Sequence, residues 1–249
     1  MSDINNRNIE YGLILAAGKG SRLGKLTDEL PKALVKIKNN KRVIDFILEG
    51  YAEAGLKKVV LIIGYLGEKI KDYLGAKAWG MEIIYLEQNL DNYGTAAAVE
   101  QARPLLKDEF FLMSYGDIIT KPLNYQRMIN FAAGLNSYQA IMLLNWLEEI
   151  KKGGLVEYQA LSQEDKLYQV TNITEKPEIE GGGWNSGGVY LFSPEIFSWI
   201  DKVKLSERGE YELTSAIELM LKNGEKIYAI KSQGYCQDIG TPDDLEKFK

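Results

Sequence analysis

Residues 11–24 read YGLILAAGKGSRLG, an apolar run that passes directly into a stretch rich in glycine and basic side chains. The apolar part, Tyr11–Ala17, predicts a buried β-strand because it is short, continuous and bounded by glycine. Glycines behind a strand let the backbone approach a ligand closely, and exposed amides in such a turn bind anions. This stretch therefore predicts an α/β protein with a phosphate-binding loop after its first strand.

Apolar runs that predict strands alternate with segments of helical periodicity through the first part of the chain. The predicted strands are Tyr11–Ala17, Val59–Ile63, Ile83–Leu86, Phe110–Ser114 and Ala140–Leu144. The predicted helices are Val43–Ala54, Glu68–Leu74, Thr95–Leu106 and Leu123–Ala133. This order predicts a sheet with helices on both faces, whose ligands bind outside the carboxyl ends of the strands. The predicted fold class is α/β, a Rossmann-like three-layer sandwich with a mixed, mostly parallel central sheet.

The last third of the chain is less regular. Its predicted strands are Gly153–Tyr158, Lys166–Ile173 and Gly187–Phe192, the first two of an antiparallel type. A helix is predicted over Tyr211–Asn223, and further helices are predicted to start at Ser193-Pro194 and Thr241-Pro242. No linker, low-complexity tract or internal repeat interrupts the pattern, so residues 1–249 are predicted to form a single domain.

The composition excludes several classes of protein. The chain has a net charge of −5, no histidine and one cysteine, Cys236. A mildly acidic protein is a poor candidate for broad nucleic-acid binding, which needs a basic surface. Catalysis by a Ser-His-Asp or Cys-His arrangement, an HExxH metal site and an internal disulfide are all excluded. No apolar segment approaches the length of a membrane span, so we expect a cytoplasmic protein without a membrane partner.

The glycine-rich loop has neither of the two common phosphate-loop spacings. Leu23 stands where a dinucleotide loop has its third glycine, and no Ser or Thr follows Gly18-Lys19 or Gly24-Lys25 as in a Walker A loop. Glycine spacing alone fits a tight turn as well as a phosphate site. Basic residues near the loop favour the phosphate site, and these are Lys19, Arg22, Lys25 and Lys32.

Further motifs follow this loop in a fixed order. Thr27 and then Pro31-Lys32-Ala33-Leu34 come first, with Arg22 and Lys32 ten positions apart. The later blocks are Gln88 with Gly94-Thr95-Ala96, Tyr115-Gly116-Asp117, Glu175-Lys176-Pro177, Asn185-Ser186-Gly187-Gly188 and Asp238-Ile239-Gly240-Thr241-Pro242. From about residue 11 to about residue 247, this order resembles the sugar-phosphate nucleotidyltransferases, also called nucleotide-sugar pyrophosphorylases. The loop with Pro-Lys at this distance is the most specific part of the resemblance.

The resemblance implies the nucleotide-diphospho-sugar transferase type of the α/β fold. It divides the domain into a nucleotide-binding half, about residues 1–145, and an acceptor-binding half, about residues 146–249. It implies transfer of a nucleoside monophosphate from a nucleoside triphosphate to a sugar 1-phosphate, with release of pyrophosphate. The implied nucleotide-binding residues are Leu15, Ala16, Ala17, Gly18, Gly20, Gln88, Gly94 and Thr95. The implied acceptor-binding residues are Glu175, Lys176 and Asn185.

Arg22 and Lys32 are the catalytic residues that the resemblance implies. Arg22 would stabilise the β- and γ-phosphates, and Lys32 would bridge phosphates at the reacting centre. Attack of one anion on another is opposed by charge repulsion, so positioning and electrostatic stabilisation should carry the catalysis. A phosphate dianion is already a nucleophile and needs no general base, which suits a chain without histidine.

Asp117 and Asp238 are the predicted ligands of the one predicted cofactor, Mg²⁺. Asp117 comes at the end of the strand Phe110–Ser114, and Asp238 at the end of a strand near Tyr235. Both are therefore predicted to point into the crevice at the carboxyl edge of the sheet. Mg²⁺ is typically held by one or two carboxylates together with substrate phosphates. A lone Asp beside Gly is more often a cap, but two carboxylates placed by the same resemblance favour a metal site.

Three alternatives compete with this interpretation. A cytidylyltransferase acting on phosphocholine or inositol phosphate would share the loop, although the Asn-Ser-Gly-Gly and Glu-Lys-Pro blocks favour a sugar. Loss of an active-site residue would signal a non-catalytic regulatory protein, whereas Arg22, Lys32, Asp117 and Asp238 are all present. A glycosyltransferase would carry Asp-x-Asp where residues 115–119 contain one Asp. The pair Ala16-Ala17 favours a pyrimidine base, and assembly into a homo-oligomer is left open.

Overall fold

The computed structural model describes residues 8–89, 91–162 and 167–248, so the predicted strand start at Lys166 and the domain ends at 1–7 and 249 lie outside the described residues. Its strands are β1 (Tyr11–Ala16), β2 (Lys58–Ile63), β3 (Lys77–Ala78), β4 (Met81–Glu87), β5 (Phe111–Tyr115), β6 (Ile118–Thr120), β7 (Ala140–Leu147), β8 (Gly154–Ser162), β9 (Leu167–Glu175), β10 (Gly183–Phe192), β11 (Ile227–Lys231) and β12 (Cys236–Asp238). Its α-helices are α1 (Val43–Glu53), α2 (Gly67–Leu74), α3 (Thr95–Glu100), α4 (Arg103–Leu106), α5 (Pro122–Ala133), α6 (Ile196–Ile200), α7 (Leu213–Lys222) and α8 (Pro242–Phe248).

A central sheet forms the middle layer, in the order β3-β4-β2-β1-β5-β10-β7-β11-β9-β8. β1 is parallel to β2 and β5, β2 is parallel to β4, and β11 is parallel to β7. β10 runs antiparallel to both of its neighbours, β5 and β7. The sheet is therefore mixed, with its parallel core around β1, as the sequence predicts.

Alternate residues of the central strands point into two separate cores. On β1, Leu13 packs in the core covered by α3, α6 and α7, and Ile14 packs in the core covered by α1 and α5. Strands buried on both faces read as continuous apolar runs because helices cover each face. This arrangement confirms the three-layer sandwich. In the part of the chain that the structure describes, no helix combines the length and apolar composition needed to cross a bilayer.

The last strands curl back on the sheet. β8 and β9 form a long antiparallel hairpin, β9 pairs with β11, and β8 also pairs with β10 through Leu155 and Asn185. The ladder between β8 and β9 sets Gly154 opposite Glu175. This pairing brings the start of β8 and the end of β9 beside the start of β10. It thereby gathers the predicted acceptor-binding residues at one end of the hairpin.

Several predicted helix boundaries are wrong for identifiable reasons. The predicted helix Thr95–Leu106 is two helices, since α3 ends at Glu100 and α4 begins at Arg103. Pro104 has no N–H, and its ring would clash with the carbonyl group of Glu100 in a continuous helix. α7 begins at Leu213 rather than Tyr211, because the Tyr211 backbone pairs with Tyr93 and Ala96 instead. α6 begins at Ile196, two residues after the predicted Ser193-Pro194 start.

The division near residue 145 falls inside β7, and β10 of the second half lies between β5 and β7 of the first. The two halves thus share one sheet and their strands interleave. The division of labour between a nucleotide side and an acceptor side stays a prediction about roles.

Candidate functional site

A cleft of about 420 Å³ opens at the carboxyl ends of β1 and β5. Among its lining residues are Leu15, Ala16, Ala17, Gly18, Gly20, Arg22, Lys32, Gln88, Gly94, Thr95 and Asp117. The structure thus brings together every predicted nucleotide-binding residue, both predicted catalytic residues and one predicted metal ligand. Gln88 reaches the cleft from the end of β4, where its N–H donates to the Ile63 carbonyl at 2.8 Å.

The loop after β1 is held in shape by one buried hydroxyl. Thr27 is 2% exposed, and its Oγ1 lies 3.0 Å from the carbonyl oxygen of Gly20 and 3.1 Å from that of Gly24. Gly20 has a φ of 69°, and a Cβ there would lie 2.9 Å from the Cβ of Lys32. The loop therefore lies directly against the stem of Lys32. A Cβ at Gly18, by contrast, would meet open space.

Lys32 joins this loop to two carboxylates. Its residue is 9% exposed, and its Nζ lies 2.5 Å from Asp117 Oδ2 and 3.3 Å from Asp238 Oδ1. The extended backbone of Pro31 leads into a 3₁₀ turn, Lys32–Leu34, which is buried against the core. The side chains of Asp117 and Asp238 are 29% and 46% exposed. The lysine is thus held by two carboxylates that both stay partly exposed, and Asp117 also lines the cleft.

Asp117 and Asp238 meet, but by a different route from the predicted one. Asp117 follows β5 at the edge of the main sheet, whereas Asp238 ends β12, which pairs with β6 in a separate two-stranded sheet. Asp238 pairs with Ile118, and the N–H of Ile239 donates to the Asp117 carbonyl at 2.9 Å. Asp238 ends a strand near Tyr235 as predicted, but this strand belongs to the two-stranded sheet and not to the central one. The β6–β12 ladder nevertheless holds the two carboxylates side by side.

The two carboxylates share the ammonium of Lys32. Burial, and after it the nearby Asp117, raise the pKa of Asp238 to about 6, and Lys32 and Arg22 offset only part of this effect. Two neighbouring carboxylates with one shared lysine suit a divalent cation, and Mg²⁺ prefers carboxylate and phosphate oxygens. Within the described ranges, no group of three or more acidic or cysteine side chains could hold a metal alone. Two protein carboxylates would therefore need phosphate oxygens or water to complete the coordination.

Asp238→Asn is expected to stabilise the metal-free protein at pH 7.5. The folded-state pKa of about 6 exceeds the ordinary value of 3.8, so the ionised carboxylate destabilises the fold. The destabilisation by the ionised carboxylate is absent below pH 3.8 and complete above about pH 6. The stability gained by Asp238→Asn should therefore appear as the pH rises between these two values. Solvent screening of the half-exposed side chain keeps the effect to a few degrees in melting temperature. Thermal unfolding in EDTA at several pH values measures it, with the exposed Asp72→Asn as control. An Asp238→Asn protein no more stable than the wild type at pH 7.5 would contradict the assigned repulsion.

Gly94, at the start of α3, is clamped by a distant segment. It has a φ of 132°, and a Cβ there would lie 2.3 Å from the carbonyl oxygen of Tyr211. The N–H of Ala96 donates to that same oxygen at 2.9 Å, and Thr95 Oγ1 accepts from the N–H of Leu213 at 2.9 Å. The start of α3 is therefore fixed by Tyr211 and by Leu213, the first residue of α7. Glycine at position 94 is required by this backbone contact, whatever ligand the cleft takes.

Gly94→Ala is expected to cost about 2 kcal/mol or more of the free energy of unfolding, because it adds a disfavoured φ to a clash with backbone. Gly18→Ala is the matched control, since an added Cβ there meets nothing within 4 Å. Chemical denaturation of both variants compares them directly. Equal stability of the two proteins would contradict the clamp. The Gly18→Ala protein should still fold, so any loss of nucleotide affinity in it reports a ligand at this glycine.

Glu175 and Lys176 lie at the end of β9 and are not among the residues that line the cleft. Glu175 Oε2 accepts a hydrogen bond from Thr214 Oγ1 at 3.1 Å, and its Oε1 lies 3.8 Å from the guanidinium of Arg208. Lys176 is exposed and has a φ of 44°. Non-glycine residues rarely adopt this left-handed conformation, and such strain clusters at functional sites. Glu175 and Lys176 therefore lie at the rim of the β8–β9 hairpin, outside the set of residues that line the cleft.

The amide of Asn185 is occupied within the protein. Its Nδ2 donates to Asn145 Oδ1 at 2.9 Å and to the carbonyl oxygen of Ser186 at 2.8 Å. Its Oδ1 accepts from the N–H of Gly154 at 2.8 Å. Because both N–H groups have partners, we expect Asn185 to shape the acceptor side rather than to donate to an acceptor hydroxyl.

Three residues that line the cleft were not named in the sequence analysis, namely Tyr93, Ala98 and Glu210, and Tyr115 was named there only as part of a motif. Burial raises the pKa of Tyr115 well above its ordinary value, so its hydroxyl stays neutral. Glu210 precedes Tyr211, whose backbone pairs with Tyr93 and Ala96 beside the cleft. No local sequence signal marks such a residue, since its position depends on a contact between distant segments.

Residues 11–249 match the sequence profile of the family described as Nucleotidyl transferase. The chain is 33% identical over 236 residues to the low-salt glycan biosynthesis nucleotidyltransferase of Haloferax volcanii, covering 94% of this chain and 63% of that protein. It is 29% identical over 235 residues to the UTP–glucose-1-phosphate uridylyltransferase of the same organism, covering 94% of this chain and 93% of that protein. The chain therefore spans less than two thirds of the first relative and nearly all of the second.

The fold is similar to that of a solved UDP-glucose pyrophosphorylase complexed with UDP-glucose. The TM-score is 0.85, and the matched region covers 96% of this chain and 97% of that one. The sequence identity is 21%, so this similarity concerns the fold. It agrees with the nucleotide-diphospho-sugar transferase type of α/β fold that the sequence predicts.

Proposed function

The chain belongs to the nucleotidyl transferase family, and we propose that it transfers a nucleoside monophosphate from a nucleoside triphosphate to a sugar 1-phosphate. The products are a nucleoside diphosphate sugar and pyrophosphate. The observation that carries the proposal is the convergence of the glycine-rich loop, Lys32 and Asp117 in one cleft. The uridylyltransferase relative, aligned over nearly its whole length, supports a sugar 1-phosphate as the acceptor.

In the proposed step, a phosphate oxygen of the acceptor forms a bond to the α-phosphorus. The bond between the α-phosphorus and the oxygen that bridges to the β-phosphate breaks, and pyrophosphate leaves with its electron pair. The nucleophile is already deprotonated, so no side chain has to remove a proton, and the chain contains no histidine. We assign the loop amides near Gly18 and Gly20, together with the exposed Arg22, to the β- and γ-phosphates.

Lys32 is proposed to stabilise the negative charge that builds at the α-phosphate. Asp117 and Asp238 hold its ammonium in place before any substrate binds. Its residue is 9% exposed, and charges interact more strongly in such a site than in bulk water. A donor fixed in advance needs no reorganisation when the charge develops, which is the main source of electrostatic catalysis.

Asp117 and Asp238 are proposed to hold Mg²⁺ together with phosphate oxygens of the substrate. The residues fit the ion, because two partly exposed carboxylates share a single lysine and one of them has a pKa raised to about 6. When bound, the ion supplies positive charge that offsets repulsion between the two anionic substrates. The carboxylates would orient it toward the side of the cleft that the loop forms.

A pyrimidine triphosphate is the proposed donor. Ala16 and Ala17 line the cleft directly before Gly18, and the uridylyltransferase relative takes UTP by its name. Nucleoside triphosphates are pooled in the cytoplasm, so we propose the cytoplasm as the place of action.

Pyrophosphate release tests the proposal. Purified protein with Mg²⁺ is assayed with each of five nucleoside triphosphates against several sugar 1-phosphates, phosphocholine and inositol 1-phosphate. We expect release only with a pyrimidine triphosphate, a sugar 1-phosphate and the metal present together, and none with EDTA. Release that occurs with phosphocholine or inositol 1-phosphate, and with no sugar 1-phosphate, would show that the acceptor is an alcohol phosphate. If no pair of substrates gives pyrophosphate release, and the folded protein binds no triphosphate, the non-catalytic alternative would be favoured.

A further inference from the structure

Asn145 is a buried polar residue of β7 to which none of the roles above applies. It is 9% exposed, its Oδ1 accepts from Asn185 Nδ2 at 2.9 Å, and its Nδ2 donates to the carbonyl oxygen of Cys236 at 3.3 Å. The residues before it, Leu143 and Leu144, are fully buried apolar side chains. A polar atom buried in such a strand destabilises the fold unless it is hydrogen-bonded, so the hydrogen bonds of Asn145 are what allow an amide at this position.

The bonds on the two sides of Asn145 lead to different parts of the molecule. On one side, Asn185 Oδ1 accepts from the N–H of Gly154, and the adjacent Gly153 carbonyl accepts from the N–H of Lys176 at 2.8 Å. On the other side, Cys236 begins β12, the strand that ends at Asp238. We call Asn145 and Asn185 the asparagine junction. It is a continuous path of hydrogen bonds between the rim near Lys176 and the strand of the candidate metal ligand.

Two glycines let the backbone lie directly against this junction. A Cβ at Gly153 would lie 2.2 Å from Asn185 Oδ1. A Cβ at Gly187 would lie 3.3 Å from Asn145 Oδ1 and 3.1 Å from Cys236 Sγ. The backbone therefore lies directly against both side-chain amides. Rotation of either amide would break its hydrogen bonds within the junction.

We propose that Asn145 is a positioning residue, which through the asparagine junction fixes the acceptor rim around Lys176 relative to the strand that carries Asp238. The roles given to Lys176 and Asp238 rest on the proposed function, whereas the hydrogen bonds that link their segments do not. In-line transfer requires the acceptor phosphate and the nucleotide phosphates to meet within a fraction of an ångström of the productive geometry. A misplacement of about 1 Å by a residue outside the chemistry can lower the rate about a hundredfold. Asn145 would prevent such a misplacement.

Amide hydrogen exchange of the ligand-free protein tests the link without any activity. Asn145→Leu keeps the branched shape of the side chain and removes both hydrogen bonds. We expect the Gly154 amide to exchange about tenfold faster in it, because Asn185 loses the partner that orients its Oδ1. A core amide such as that of Val60 in β2 should be unchanged, and so should Gly154 in the matched control Asn172→Leu, an exposed asparagine of β9. Gly154 exchange within about twofold of the wild type would overturn the proposal.

The affinity for a divalent metal ion tests the end of the asparagine junction near Asp238. Mn²⁺ binding to the protein with nucleoside triphosphate and no acceptor should weaken about tenfold in Asn145→Leu, as outer-shell substitutions do. Asn185→Leu should weaken it as well, although Asn185 contacts neither Cys236 nor Asp238 among its hydrogen bonds. The protein with both substitutions should bind Mn²⁺ no less tightly than the single variant with the lower affinity. Unchanged Mn²⁺ affinity in both single variants would overturn the proposal, and Asn145→Ala replaces Asn145→Leu if the latter does not fold.

The failure of this inference and the failure of the proposed function are distinguishable. Faster Gly154 exchange and weaker Mn²⁺ binding, in a protein that releases no pyrophosphate with any substrate pair, would support the junction and overturn the proposed function. Normal exchange and normal Mn²⁺ affinity in Asn145→Leu, with an active wild type, would overturn the junction alone. In an active enzyme the acceptor KM should rise in Asn145→Leu, while triphosphate binding without metal stays the same.

Discussion

Lys32→Ala is expected to lower kcat/KM for nucleotidyl transfer by about 10²–10³-fold in a protein that still folds, as loss of one fixed electrostatic donor does. The ammonium of Lys32 is the positive charge that both Asp117 and Asp238 contact in the cleft. Its removal takes away the proposed stabilisation of the α-phosphate and leaves two carboxylates without the lysine they share. The fold should survive because Ala33 and Leu34 keep the 3₁₀ turn buried. Steady-state assays with saturating Mg²⁺ measure the effect.

Lys36→Ala is the control, because Lys36 is an exposed lysine four positions along the same segment. It should keep the activity of the wild type. The Lys32→Ala protein should also lose melting temperature in EDTA and regain part of it in Mg²⁺, since a cation again separates the two carboxylates. Turnover equal to that of the wild type in a folded Lys32→Ala protein would remove Lys32 from the proposed site.

Asp117→Asn is expected to lower kcat by about 10²-fold or more, because metal-ion charge stabilisation is worth several kcal/mol at the transition state. The change keeps the size of the side chain and its place after β5, but it removes one of two carboxylates. Lys32 retains Asp238 at 3.3 Å, so the lysine stays in the cleft. The Mg²⁺ concentration for half-maximal rate should rise together with the loss of kcat. A titration of rate against Mg²⁺ measures both quantities.

The matched control is Asp72→Asn, which removes the same charge from an exposed position on α2. It should leave both the rate and the Mg²⁺ dependence unchanged. A loss of kcat in Asp117→Asn without any change in Mg²⁺ dependence would assign Asp117 to holding Lys32 and leave the metal to other groups.

The part of the site that sequence could predict lies on contiguous residues. Gly18, Gly20 and Arg22 share one loop, and Lys32 follows within ten residues, after the 3₁₀ segment Ser21–Thr27, so their meeting in the cleft depends on local chain geometry. Asp238 was predicted near Asp117, yet the ladder that brings it there is made by two strands of three residues each. Strands so short carry no periodicity, so their pairing cannot be recognised before the fold is known.

Contacts between distant segments explain most of the remaining differences. The role of Gly94 depends on Tyr211, and the hydrogen bonds of Asn185 depend on Asn145 and Gly154. In both cases the residue type was noticed, but its partner lies too far away along the chain for any local pattern to indicate. The strands of the parallel core were predicted to within a few residues because burial on both faces makes them uniformly apolar.

The place of β10 in the sheet has a consequence for how the protein is made. β10 spans Gly183–Phe192, yet it lies between β5 and β7, which end at Tyr115 and Leu147. During synthesis from the amino terminus, β5 and β7 leave the ribosome before the strand that pairs with both. Their facing edges then carry unpaired backbone groups, which invite pairing with other chains. A nascent chain that stops before Gly183 therefore exposes two open strand edges, and we expect fragments divided near residue 145 to become soluble only when they are produced together.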